Sequence, residues 1–190
     1  MGGFAMAVYI AWLRGINVGG KNMIKMPLLK AALETLGLSG VQTYIQSGNV
    51  VFASNEDEDA LCARIEAKIK ETFGFAVPVI LRTDAELTGL LADCPYTAEE
   101  IEKAEKVSGV ESLYAAFFRD APPTGLSARL ETLAGDADRF ALRGRDVYLL
   151  FSHSIRDSRL AAAMQKTDAP PTVRNFNTIR KLLDLAAALR

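Results

Sequence analysis

The feature that most limits how this chain can fold is the order of its apolar segments. It runs strand, helix, strand, strand, helix, strand, and then runs that way again. Val8–Arg14 (VYIAWLR) is apolar and aromatic and predicts a buried strand. Pro27 opens a helix with an apolar face of Leu28, Leu29, Ala32, Leu33 and Leu36, and Gly37 stops it. Val41–Gln46 and Val50–Ala53 predict a hairpin across Ser47-Gly48-Asn49. Ser54 and Asn55 stand as caps ahead of the acidic run Glu56–Asp59, whose carboxylates suit the positive end of a helix dipole. Leu61, Ile65, Ile69 and Phe73 line the core side of that helix. Val77–Arg82 is the last strand of the set, and Pro78 makes it an edge.

The second set is Leu113–Phe118, a helix over Leu126–Leu133 closed by Gly135, a hairpin of Arg139–Leu142 and Val147–Phe151 across Gly144, a helix over Arg159–Met164, and a short edge strand at Pro171–Arg174. Asn177 is expected to cap a final helix with the apolar face Ile179, Leu182, Leu183 and Ala186. Thr83/Glu86 and Thr97/Glu100 are capping-box patterns, so the stretch between the sets reads as linker helices. The expected fold is therefore α+β: two ferredoxin-like βαββαβ halves, residues 1–82 and 110–190, joined by linker helices at 83–109 and closed by a C-terminal helix.

Composition narrows the function classes. About half of the 190 residues are apolar, enough for a core without staples. The net charge of −1 argues against a polybasic nucleic-acid or membrane-surface protein. No apolar run approaches the roughly 20 residues of a membrane span. Met1–Ala7 has no Lys or Arg ahead of its apolar residues, unlike a signal peptide. Cys62 and Cys94 form no Cys-x-x-Cys pair and suit free thiols in a reducing cytoplasm. One histidine, His153, excludes most multi-histidine metal sites and reads as a surface turn residue. No metal or cofactor is expected. Charge is uneven, with a net +3 over residues 1–50, +4 over 156–190 and −8 between them. Two basic ends could gather around an anion, or the charges could simply lie on solvated faces.

The topology carries a functional consequence. In a βαββαβ unit the first and second strands run the same way and the third runs back. The loop after the first strand and the second–third hairpin therefore share one end of the sheet. Here those are Arg14–Asn22 (RGINVGGKN) and Gln46–Asn49 (QSGN). The first nearly matches the phosphate-cradling pattern GxxxxGK[ST]. Asn22 stands where a magnesium-binding hydroxyl is needed, however, the helix starts near Pro27, and the hairpin contradicts a parallel NTPase sheet. What survives is an anion cradle of Arg14, Asn17, Gly19, Gly20 and Lys21, with Gln46, Ser47 and Asn49 adding amide and hydroxyl contacts. The competing reading is that the glycines and Asn17 only supply turns with positive φ. Ser47 has no evident base to make it a nucleophile. Arg174, Asn175 and Lys181 form a second basic patch at the start of the last helix, readable as an anion site or as a cap and a solvated face.

LRGINVGGKN at 13–22, TYIQSGNVVF at 43–52 and TVRNFNTIRKL at 172–182 resemble, in order and spacing, the bacterial domain-of-unknown-function family 1697. The resemblance implies an α/β protein of ferredoxin-like halves and supplies no activity. The family's characteristic positions fall on Arg14, Gly15, Asn17, Gly19, Gly20, Gln46, Ser47, Gly48, Asn49, Arg174, Asn175, Thr178 and Lys181, with Phe176 where an aromatic is frequent. Three functions stay open. The first is a protein binding a small phosphorylated or carboxylated molecule. The second is a nucleic-acid binder of ferredoxin-like fold, for which Tyr9, Trp12 and Phe52 are the strand aromatics, although core packing is their expected role. The third is a non-catalytic interaction module whose motifs are structural turns. Whether the chain is an enzyme, and its oligomeric state, are not fixed by the sequence.

Overall fold

The computed structural model describes residues 6–190. The reading of the N-terminus as no signal peptide falls mainly on residues 1–5, which lie outside them. The first half runs β1 (Ala7–Leu13), α1 (Met26–Glu34), β2 (Ser39–Tyr44), β3 (Asn49–Ser54), α2 (Glu58–Phe73) and β4 (Val79–Thr83). Two helices follow, α3 (Asp84–Ala92) and α4 (Ala98–Ser108). The second half is β5 (Leu113–Phe117), α5 (Leu126–Leu133), β6 (Asp138–Arg143), β7 (Asp146–Phe151), α6 (Arg159–Gln165) and β8 (Thr172–Asn175), and α7 (Phe176–Ala187) ends the chain. The strand orders are β2-β3-β1-β4 and β6-β7-β5-β8, every neighbour antiparallel. Each half thus has the ferredoxin-like element order. Pro78 directly precedes the edge strand β4, where a missing ladder N–H costs nothing.

In the first half, alternate residues of the sheet (Tyr9, Ala11, Leu13, Val50, Phe52, Leu81) pack on Leu29 and Leu33 of α1 and on Leu61, Ile65 and Ile69 of α2. The intervening residues Val8, Ile10, Trp12 and Val51 are buried as well. Burial on both faces is why VYIAWL reads as one continuous apolar run rather than an alternating one. In the second half, Ala116, Val147, Leu149 and Phe151 pack on Leu126 and Leu130 of α5 and on Leu160 and Met164 of α6.

The chain divides into two compact units. One runs through Leu90 and takes in Arg180–Arg190; the other is Leu91–Ile179. The first therefore extends past residue 82 into α3 and includes the tail of α7, while α4 goes with the second. Within the first unit Arg190 Nε donates to Asp84 Oδ2 at 2.8 Å, tying the chain's end to the start of α3. Both expected capping boxes form. Thr83 N donates to Glu86 Oε2 while Glu86 N donates to Thr83 Oγ1, and Thr97 and Glu100 exchange the same pair.

Three local readings are corrected. Leu28 is 55% exposed, because the buried stripe of α1 follows the spacing Met26, Leu29, Leu33 and leaves Leu28 a hundred degrees off it. The cap of α2 is Asp57, whose carboxylate accepts from Ala60 N at 2.9 Å. Ser54 cannot serve because β3 runs through it, and its hydroxyl accepts from Glu56 N instead. Likewise β8 runs to Asn175 and passes directly into α7, so Asn175 Oδ1 accepts from Thr178 N at 2.8 Å. Asn177 is already inside the helix, and its amide donates to Glu111 at 2.5 Å.

Candidate functional site

The β1–α1 loop and the β2–β3 hairpin meet at one end of the first sheet, because β1 and β2 both run antiparallel to β3. Leu13 N donates to Gly48 O at 2.8 Å, so the joint begins in the last residue of β1. Asn17 then fastens the two turns. Its Oδ1 accepts from Ile24 N at 2.8 Å, and its Nδ2 donates to Ile24 O at 3.0 Å and to Gln46 O at 2.8 Å. One side chain thus satisfies three backbone groups from two connections, which an aliphatic residue could not do. Its φ of 54° is a left-handed conformation that asparagine tolerates.

The tip of the loop is a small hairpin of its own. Lys21 N donates to Val18 O at 3.0 Å, and Gly19 and Gly20 sit at φ 58° and 74°. Positive φ at both central residues is the type I′ signature, and paired glycines are what that turn selects. Asn22 (φ 48°) bonds Gly15 O at 3.2 Å through its amide. The hairpin side is equally determined. Asn49 is fully buried, and its Nδ2 donates to Tyr44 O at 3.0 Å and to Ser47 Oγ at 2.9 Å. A Cβ on Gly48 (φ 80°) would lie 2.8 Å from Leu13 Cβ and 2.8 Å from Ile16 Cδ1. Ile45, a β-branched residue, is held at φ 50° with its side chain 52% exposed.

Of the first-half candidates, then, Asn17, Gly19, Gly20 and Asn49 hold the shape of the cluster. Lys21, Gln46 and Ser47 are exposed, and Arg14 is partly buried. The helix α1 starts at Met26, so no helix N-terminus stands behind Lys21. Lys25, the residue before α1, is a further exposed cation. Val18 and Met23, 68% and 63% exposed, share this end of the sheet with Ile45. Of the strand aromatics, Trp12 and Phe52 are fully buried and Tyr9 nearly so, its ring stacked on Phe52 at 5.8 Å, so none of the three offers a face to a base.

The second basic patch is divided between the two units: Arg174 and Asn175 belong to the second, Lys181 to the first. The Arg174 guanidinium donates to Thr172 Oγ1 and to Val173 O, both at 2.8 Å, and burial lowers its pKa to about 10. Asn175 is committed as the cap of α7, while Lys181 is exposed. Phe176 is buried against Tyr148 (6.2 Å) and is a core residue.

Sequence reasoning missed the polar residues Arg82, Asp138 and Ser158. Arg82 is 1% exposed and donates to Leu81 O at 2.7 Å; it lies in an apolar strand pattern that gives no warning of a buried cation. Asp138 is buried and takes the Ser158 hydroxyl at 3.0 Å while His153 Nε2 pairs with its other oxygen. His153 is therefore a partly buried partner of Asp138 rather than a surface turn residue. With its Nδ1 against Ser154 O at 2.9 Å and the Ser158 hydroxyl turned to Asp138, the trio braces the start of α6 and does not form a nucleophile–base pair. Cys62 and Cys94 are free thiols. Among the described residues no group of three His, Cys, Asp or Glu side chains is placed to hold a metal, and no helix is long and apolar enough to cross a membrane.

The fold and this loop cluster define an α+β protein of paired βαββαβ halves with one elaborated sheet end. The chain belongs to the DUF1697 family of proteins of unknown function, whose model matches residues 6–148. Its fold is that of the conserved bacterial protein SP0830 from Streptococcus pneumoniae, with a TM-score of 0.76 and 23% identity over 96% of this chain and 99% of that one. No curated protein matches the chain significantly.

Proposed function

We propose that the chain is a binding protein in which the first-half loop cluster receives an anionic group, a phosphate or a carboxylate. The observation that carries this reading is the Asn17 staple, which joins the basic Arg14–Lys25 loop to the Gln46–Asn49 hairpin at one sheet end. Residues 1–33 contain no Asp or Glu, and residues 35–55 contain no charge at all, so Arg14, Lys21 and Lys25 form a one-sign field. In this reading Asn17, Gly19, Gly20 and Asn49 fix the loops, and Arg14 and Lys21 bind the anion with help from Gln46 and Ser47. Charge-assisted hydrogen bonds of about 1.5–3 kcal/mol each would supply the affinity. The free thiols support a cytoplasmic setting.

A second reading, an interaction module, is favoured by the exposure of Val18, Met23 and Ile45 beside the same cations. Thermal-shift titrations of the wild type, Arg14→Ala and Lys21→Ala with inorganic phosphate, citrate, nucleotides and a short single-stranded RNA separate these. A ligand at 100 times its Kd stabilises the wild type by about 2.7 kcal/mol, and both variants lose that shift. Binding of RNA alone, falling steeply with salt, transfers the site to nucleic acid. A flat response to every anion, with variants as stable as the wild type, rejects anion recognition and leaves the interaction module.

A further inference from the structure

The second unit contains a cavity of about 400 Å³ between α4 and the β6–β7 hairpin, and none of the loop-cluster residues lines it. Its lining carries both signs of charge. Arg139 and Glu100 are paired there at 2.8 Å (Nη1 to Oε1), and the Arg139 guanidinium lies 4.9 Å over the Tyr96 ring. Both Glu100 oxygens already accept hydrogen bonds, the second from Thr97 N at 2.8 Å. It therefore anchors Arg139 rather than binding anything itself. Arg139, fixed by an ion pair on one edge and an aromatic face below, keeps further N–H donors for a ligand.

Two opposite charges on the same cavity are uncommitted. Lys103, one turn along α4 from Glu100, makes no ion pair among the described residues, and neither does Asp136. Asp136 is the exposed tip of a tight turn in which Gly135 N donates to Asp138 O at 2.9 Å and Asp138 N donates to Gly135 O at 3.2 Å. Ser152 is held against that turn through its own N–H, which donates to Ala137 O at 2.9 Å, and it also lines the cavity. Ala104, Val107 and Leu150 supply an apolar surface.

A simple anion would meet Asp136 with nothing to neutralise it, and a simple cation would meet Lys103 and Arg139. A ligand carrying both charges leaves neither unmatched. We propose that this cavity binds a small zwitterion with an apolar side chain, an apolar α-amino acid. Its carboxylate takes Arg139 and Lys103, its ammonium takes Asp136 and the Ser152 hydroxyl, and its side chain lies on Ala104, Val107 and Leu150. The volume is at the small end for ligand pockets, as an amino acid requires.

Calorimetric titration of the full chain with L-leucine tests this, alongside 4-methylpentanoate, which lacks the ammonium, and leucine amide, which lacks the carboxylate. Leucine is expected to bind saturably, and each analogue about tenfold more weakly or worse. Asp136→Asn should weaken leucine about tenfold while leaving 4-methylpentanoate unchanged, and Lys103→Met should weaken both. Both side chains are exposed, so the variants should melt with the wild type. Arg14→Ala should bind leucine as the wild type does, whatever becomes of the loop cluster. The proposal is overturned if leucine, isoleucine and valine give no heat at millimolar concentration, if 4-methylpentanoate matches leucine, or if neither cavity variant changes binding.

Discussion

The two halves share one topology and build different things on it. In the first, Leu13 N donates to Gly48 O at 2.8 Å; in the second, Phe118 N donates to Arg145 O at 3.0 Å. Both halves therefore bring the loop after their first strand to the hairpin between their second and third. In the second half the joint is plain: Gly144-Arg145 turns between the paired residues Arg143 and Asp146, and Arg145 Nη1 donates to Arg119 O at 3.0 Å. In the first half the loop folds on five residues of positive φ (Gly15, Asn17, Gly19, Gly20 and Asn22), and the hairpin adds Ile45 and Gly48. Strand order dictates that such loops meet. It does not demand a loop this elaborate, and the excess is the structural argument for a site at this end.

The sharpest break of the comparison is Gly48→Ala against Gly144→Ala. Both glycines have positive φ, but a Cβ on Gly48 would press on Leu13 Cβ, which cannot move without its strand, whereas Gly144 faces open space. Urea unfolding should show a loss of about 3 kcal/mol or more at Gly48 and about 1 kcal/mol at Gly144. Equal losses would mean that the two joints are equally tight. Next in size is the staple. Asn17→Ala strands three backbone groups and should cost about 2–3 kcal/mol, against about 1 kcal/mol for Arg145→Ala, which removes a side-chain bond to the Arg119 carbonyl. Ile45→Asn sharpens the contrast from the other side. Asparagine accepts the left-handed region, so this variant should gain about 1 kcal/mol; a loss would show that the Ile45 side chain contributes contacts outweighing its strain.

Much of this was legible in the residues. Apolar patterning yielded the order of elements in both halves, and strand direction alone gave the meeting of Arg14–Asn22 with Gln46–Asn49. Pro78 marked an edge and the Thr/Glu pairs marked two helix starts. The failures came where one residue separates two outcomes. Ser54 and Asn175 are each the last residue of a strand, and whether that residue or a neighbour caps the next helix depends on where the ladder ends, which pairing decides. The division of labour at the candidate site was hidden for a similar reason. Asn17 and Ser47 look alike as polar loop residues, and only the carbonyls around Asn17 reveal that its amide is already used. Arg82 sits in VILRT, a pattern that reads as apolar strand, and the pairing of Arg139 with Glu100 joins residues 39 apart, which no local pattern records.

The smallest effects lie in the helices between the halves. In the second unit the Tyr96 hydroxyl is buried without a hydrogen-bond partner among the described residues, and burial raises its pKa to about 12. The folded state therefore favours the neutral phenol, and the stability this brings is complete below pH 10 and drains away as pH rises toward 12. Tyr96→Phe should gain about 1 kcal/mol near neutrality and lose less on the alkaline side. The acid side belongs to Glu100. The capping boxes of α3 and α4 are alike, but Arg139 reaches the carboxylate of the second. The Thr97 N–H first, and Arg139 second, hold the Glu100 carboxyl below the ordinary glutamate range. A lowered carboxyl contributes stability that is complete above its unfolded value of about 4.3 and is lost as pH falls through the folded one. Glutamine at this position keeps the backbone half of the capping box and removes the charge. Stability curves of Glu100→Gln and the wild type should therefore lie slightly apart at pH 7 and converge below the glutamate range. Curves that stay parallel through that range would assign the effect of Glu100 to its shape and its cap, and would remove the ion pair with Arg139 from the forces holding this face of α4.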